Sequence, residues 1–152
     1  MRSITGIVRI LCLHFASAGS AQDPSPDASD LRGTWDDVTP EGARVGYHLR
    51  RADVSLTFNG TACTWQTPAG FTARQSLFVP VQAGTHRGLD FVTVSGGAFV
   101  TTRALFQVEG GTLTIKEAAL DKPRPTNLFP WKFDGRNTDD FASVHVYKRR
   151  AK

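Results

Sequence analysis

The sequence predicts an all-β domain, an antiparallel up-and-down barrel of about eight or nine strands. Three observations carry that expectation. Short runs of alternating apolar and polar residues recur along the chain. A period of two puts every second side chain on one face of a strand. Several runs are joined by Asn-Gly or Gly-Gly pairs, which supply the positive φ angles of two-residue hairpin turns. The composition agrees: 14 glycines and one methionine among 152 residues, with Thr and Val frequent, lean towards strands and turns.

The elements follow in order. Val54–Phe58, Asn59-Gly60 and Thr61–Trp65 read as a first hairpin. A loop at Asn59-Gly60 pairs Phe58 with Thr61, Leu56 with Cys63 and Val54 with Trp65. These side chains share one apolar face, and Ser55 and Thr57 point the other way. Cys63 is therefore expected in the core, where a thiol is inert. Ala104–Glu109, Gly110-Gly111 and Thr112–Lys116 form a second hairpin, pairing Val108 with Leu113 and Phe106 with Ile115. Gln107 and Thr114 face away.

The remaining strands are Thr34–Val38, Gln75–Val81, Leu89–Val94, Phe99–Thr102 and Phe141–Tyr147. Ser95-Gly96-Gly97 is a third turn. Pro80 places the end of its strand at an edge or bulge. Lys116–Asp121 reads as a single helical turn. Short, evenly spaced strands suggest a barrel or a sandwich. Consecutive hairpins favour the up-and-down barrel, which leaves no open edge.

The chain start has a different character. Arg2 and Arg9 are the only charges in Met1–Ala21, around the apolar run Ile10–Leu13 with Phe15, and small residues follow in Ala16–Ala21. This is the pattern of a signal peptide over 1–21, with cleavage expected after Ala21 and Ala18 as the second choice. The run is too short to span a bilayer. Leu11 is bulky where a lipid-anchor signal at Cys12 needs a small residue. Residues 22–30, rich in Pro, Ser and Asp, read as a flexible tether, and 31–150 as the domain. The expected location is secreted, or periplasmic and cell-envelope.

Charge excludes little else. The chain has 18 basic and 14 acidic residues, net +4; without the two leader arginines it has 16 against 14, net +2. That is no footprint for nucleic acid, and Lys148-Arg149-Arg150 with Lys152 reads as a solvated terminus. Cys63 is the one cysteine after the leader, so no internal disulfide is expected.

No catalytic constellation emerges. There is no Gly-x-Ser-x-Gly elbow. His48, His86 and His145 lack the close spacing of a metal pair, so neither metal nor cofactor is expected. Asp36-Asp37 and Asp139-Asp140 are adjacent, so their side chains diverge rather than oppose. Asn59-Gly60-Thr61 matches a glycosylation sequon, which its turn role already explains. Arg124, held between Pro123 and Pro125, is a candidate for an anionic ligand at a barrel mouth. The alternative is a loop arginine that caps a carbonyl or pairs with an Asp. Trp131 and Phe133 are candidates for a lid or contact patch, or for a plug at the barrel's open end.

Several stretches together carry a family resemblance. These are Leu31-Arg32-Gly33-Thr34-Trp35, Leu56–Gly60, Gly88-Leu89-Asp90-Phe91, Val108–Ile115, Arg124-Pro125-Thr126 and Val146-Tyr147-Lys148-Arg149. In this order they resemble a small lipocalin-like domain family, largely uncharacterised, that recurs in secreted planctomycete proteins. The resemblance covers nearly the whole domain. It implies a lipocalin-like barrel and secretion. It also implies that Trp35 plugs the closed end and packs against a late basic residue, Lys148 or Arg149. The chain departs from the family at Ala104-Leu105-Phe106, at Lys116 and over Asn127–Asp140.

The functional expectation is a binding module for a small, partly apolar or anionic ligand, without a cofactor. The alternative is a protein- or envelope-contact domain with a filled barrel, a real prospect given ten Phe and three Trp.

Overall fold

The computed structural model describes residues 27–39, 54–128 and 143–151. A 3-10 turn, Ser29–Leu31, leads into eight strands: β1 (Gly33–Asp37), β2 (Ser55–Asn59), β3 (Ala62–Gln66), β4 (Thr72–Ala83), β5 (His86–Ser95), β6 (Ala98–Glu109), β7 (Thr112–Glu117) and β8 (Ser143–Arg149). Each pairs antiparallel with the next, and β8 returns to β1, so the sheet closes into an up-and-down barrel. Among the described residues no helix is long and apolar enough to cross a membrane.

The second hairpin has the expected register, Val108 opposite Leu113 and Phe106 opposite Ile115. Gly110 and Gly111 both take positive φ, the requirement of a type I′ turn.

The first hairpin differs. Phe58 faces Cys63 and Leu56 faces Trp65, not Thr61 and Cys63. The turn residues are Gly60 and Thr61, and only Gly60 has positive φ, as a type II′ turn requires. Asn59 thus stays in the strand, opposite Ala62. The shift is a whole period of two, so Leu56, Phe58, Cys63 and Trp65 remain inside, while Thr61 becomes an exposed turn residue. Trp65 gains Leu56 as its cross-strand partner.

Two other expectations are corrected. Lys116 and Glu117 continue β7 instead of starting a helical turn; the reversal comes later, where the Lys122 N–H donates to the Ala119 carbonyl at 3.1 Å. Pro80 lies inside β4, opposite Leu89. It costs no ladder bond there. The Phe78 N–H points to β3, onto the Thr61 carbonyl. Two residues on, position 80 points the same way, beyond the end of β3. Of the expected strand Phe141–Tyr147, the described part begins at Ser143.

The interior is one cluster: Trp35, Leu56, Phe58, Cys63, Trp65, Phe78, Leu89, Phe91, Ala104, Phe106, Leu113, Ile115 and Tyr147. Phe58 and Phe78 meet edge to face at 5.1 Å, as do Trp65 and Phe91 at 5.3 Å. Burying each such side chain contributes roughly 1.5–3 kcal/mol. Chain direction gives the barrel two different ends. The turns β2–β3, β4–β5 and β6–β7 share one end with the 3-10 turn. The connections β1–β2, β3–β4, β5–β6 and β7–β8 share the other, the loop end.

The first end is closed by the residues just before β1. Leu31 is fully buried, and the Trp35 indole N–H donates to its carbonyl at 2.7 Å. Arg87 lies over the Phe106 ring at 4.4 Å and grips both Asp30 carboxylate oxygens at 2.7 Å. The described end of the expected tether is therefore fastened to the barrel.

Candidate functional site at the loop end of the barrel

The residues singled out in the sequence lie in three places. Trp35 is fully buried at the closed end, with the Arg149 guanidinium 4.1 Å above its ring. Arg149 also donates to the Arg32 carbonyl at 2.7 Å and to that of Asp30. Arg150 pairs with Asp36, so these two tail arginines are bound to the barrel rather than simply solvated. Cys63 sits inside with its thiol 3.4 Å from the Ser76 carbonyl. Burial pushes that thiol up to about 12, against an ordinary 9.0.

Arg124 is on the outside of the barrel, over Gly88. Gly88 and Asp90 alternate with the inward Leu89 and Phe91, so they face outward. Arg124 Nη1 donates to the Leu89 and Ala104 carbonyls at 3.0 and 2.6 Å, and Nη2 to the Asp90 carboxylate. Its donors thus face carbonyls and an Asp, the geometry of a capping arginine. Trp131, Phe133, His48 and Asp139-Asp140 lie outside the described residues.

A charged pair that sequence reasoning missed lies inside the barrel at the loop end. Arg74 is on β4, in phase with the inward Ser76 and Phe78. Glu117 is the last residue of β7, in phase with the inward Leu113 and Ile115. Arg74 Nη1 meets Glu117 Oε2 at 3.1 Å, and the side chains are 29% and 8% exposed. The guanidinium lies 4.2 Å above the Trp65 ring and 5.3 Å from that of Phe91. Its Nε donates to Ser76 Oγ at 3.3 Å, and Ser76 shares a hydrogen bond with Thr93.

Register adds more polar groups on the same inward face. Thr102 stands opposite Phe91, Ser143 opposite Glu117, and His145 opposite Ile115. The His145 ring stacks on Tyr147 at 6.0 Å and contacts Ser143 Oγ at 3.2 Å. Burial, with the Glu117 and Asp37 charges, raises the Tyr147 hydroxyl, and a Trp65 hydrogen bond offsets part of this. Tyr147 is therefore neutral at physiological pH. An aromatic layer topped by a cation, an anion, hydroxyls and an imidazole can orient a ligand that is apolar at one end.

Such a pair is a poor stabiliser. Desolvating two charges offsets most of their attraction, and apolar replacements of equal volume are often neutral or better. Period-two counting through Thr112–Glu117 would have found Glu117. Arg74 needed the inward phase of Ser76 and Phe78.

The closed end has a recess of about 300 Å³ between Asp27–Ser29, Arg32, Phe58, Gly60-Thr61, Phe78 and Pro80. Asp27, Ser29, Arg32 and Thr61 are its polar lining. The Asp27 carboxylate is spent on the Ser29 N–H and hydroxyl. No group of three or more metal-ligating side chains occurs among the described residues.

No protein-family model, curated protein or solved structure matches the chain.

Proposed function

We propose that this domain is a binding module for a small, partly apolar ligand held at the loop end of the barrel. The observation that carries the reading is the Arg74–Glu117 pair, turned inward onto Trp65 and Phe91. A pair so placed adds little stability but gives a bound molecule fixed polar partners. The closed half is occupied by Leu31, Trp35, Leu56, Phe58 and Phe106, so the ligand lies above this layer. Kinship with the lipocalin-like family is part of the proposal, supported by the stacking of Arg149 on Trp35. So is export through the 1–21 leader to a periplasmic, envelope or extracellular location, supported by the leader's composition.

Native mass spectrometry of Gln22–Lys152, purified from an exporting host, tests the reading. Added mass that vanishes on denaturation is the expected result. A bare mass, unchanged after incubation with short-chain amphiphiles, overturns it.

One observation favours a second reading, a contact domain. Leu77, Val79, Val94 and Phe99 are 49–79% exposed, and they lie on the outward face of β4, β5 and β6. Exposed apolar patches of this kind mark contact surfaces. Loss of partner retention on replacing Leu77 and Phe99 with Ser, with mass unchanged in the first experiment, would select this reading.

A further inference from the structure

The Arg74–Glu117 pair leaves specific atoms unused. Arg74 spends Nη1 on Glu117 and Nε on Ser76. Among the described residues nothing accepts from its Nη2. Glu117 is 6% exposed, and only its Oε2 is used; among the described residues nothing donates to Oε1. A buried carboxylate oxygen without a donor needs an explanation, because such groups are nearly always satisfied.

We propose that the ligand carries an uncharged head group that both accepts a hydrogen bond from Arg74 and donates one to Glu117, as a primary carboxamide does. This inference rests on the binding-module reading and names its ligand class. The pair neutralises itself, so the site has no net charge to spare for an ion. A carboxylate drawn to Arg74 meets the Glu117 carboxylate beside it, and an ammonium drawn to Glu117 meets Arg74. Either arrangement brings like charges together and leaves one buried group unpaired. A neutral group with a donor next to an acceptor satisfies both atoms at once.

The test uses the full chain and three probes with the same six-carbon tail: hexanamide, hexanoate and hexylamine. Binding is read at neutral pH by tryptophan fluorescence, since Trp65 lies directly under Arg74. Hexanamide should bind roughly tenfold or more tightly than either ion, the discrimination expected for one unpaired buried polar group. In Glu117→Gln, which keeps the side chain's shape, hexanoate should overtake hexanamide. Equal or tighter binding of either ion to the unaltered chain overturns the head-group inference and leaves the binding module standing. Hexanamide preference without inversion in Glu117→Gln overturns the assignment to this pair. No binding by any probe counts against the inference and the reading beneath it.

Discussion

Gly88→Ala is expected to unseat Arg124, and the size of the effect follows from the contacts. A Cβ at Gly88 would lie 2.7 Å from Arg124 Nη1, 3.1 Å from its Cζ and 2.8 Å from Val81 Cγ2. Backbone strain is not the cause, since Gly88 is not among the positive-φ residues. Arg124 must withdraw, giving up its bonds to the Leu89 and Ala104 carbonyls and its contact with Asp90. Hydrogen bonds to charged groups contribute about 1.5–3 kcal/mol, and these overlap, so a loss of about 2–4 kcal/mol is expected. Arg124→Ala should cost a similar amount. In the Arg124→Ala background, Gly88→Ala should cost only about 1 kcal/mol, for the adjustment of Val81. Urea melts of the four proteins give the coupling, expected near 2 kcal/mol. Losses that add within about 0.5 kcal/mol would refute this account. An Arg124→Ala variant as stable as the parent would instead free Arg124 for a ligand role.

Two further outcomes follow from the buried groups. Native Cys63 should resist iodoacetamide at neutral pH and react once unfolded. Its thiol is raised from 9.0 to about 12. Between those values the unfolded chain has lost the thiol proton and the folded chain has kept it. The thiol's contribution is therefore complete below pH 9 and declines up to pH 12, by on the order of 4 kcal/mol. Cys63→Ala should flatten that decline in melts across the range; an unchanged slope would contradict the assignment. Arg149→Ala should lose about 1–2 kcal/mol, from its stack on Trp35 and its bonds to the Arg32 and Asp30 carbonyls. Lys148→Ala should stay within about 0.5 kcal/mol, and equal losses in thermal melts would contradict the asymmetry.

Much of the barrel was legible because its signals are local. The alternation in Ala104–Lys116 and the Gly110-Gly111 pair specify one hairpin completely. At Asn59-Gly60-Thr61 two turns fit the same residues. Asn59-Gly60 favours one, but Gly60-Thr61 sets Leu56 against Trp65 and Phe58 against Cys63. Cross-strand packing decided between them. The candidate site was less legible because charged residues usually mark an outer face. Arg74 and Glu117 are inward, 43 residues apart, and meet only across the closed barrel. Lys116 misleads in the opposite sense. It faces outward yet is 1% exposed, its amino group donating to Asn127 Oδ1 at 3.1 Å. Nothing near it in the sequence announces that cover, and reading Lys116–Asp121 as a helical turn hid the phase of Glu117.

The double variant Arg74→Met, Glu117→Leu tests the central claim most directly, with ligand retention and the urea midpoint read on the same preparation. If the pair exists to hold a ligand, the midpoint should stay level or rise, because apolar groups of similar volume replace a partly buried ion pair. Mass retained by the parent protein should disappear. A lowered midpoint that corresponds to a loss of several kcal/mol of unfolding free energy, with retained mass unchanged, would make the pair a structural strut and contradict the account.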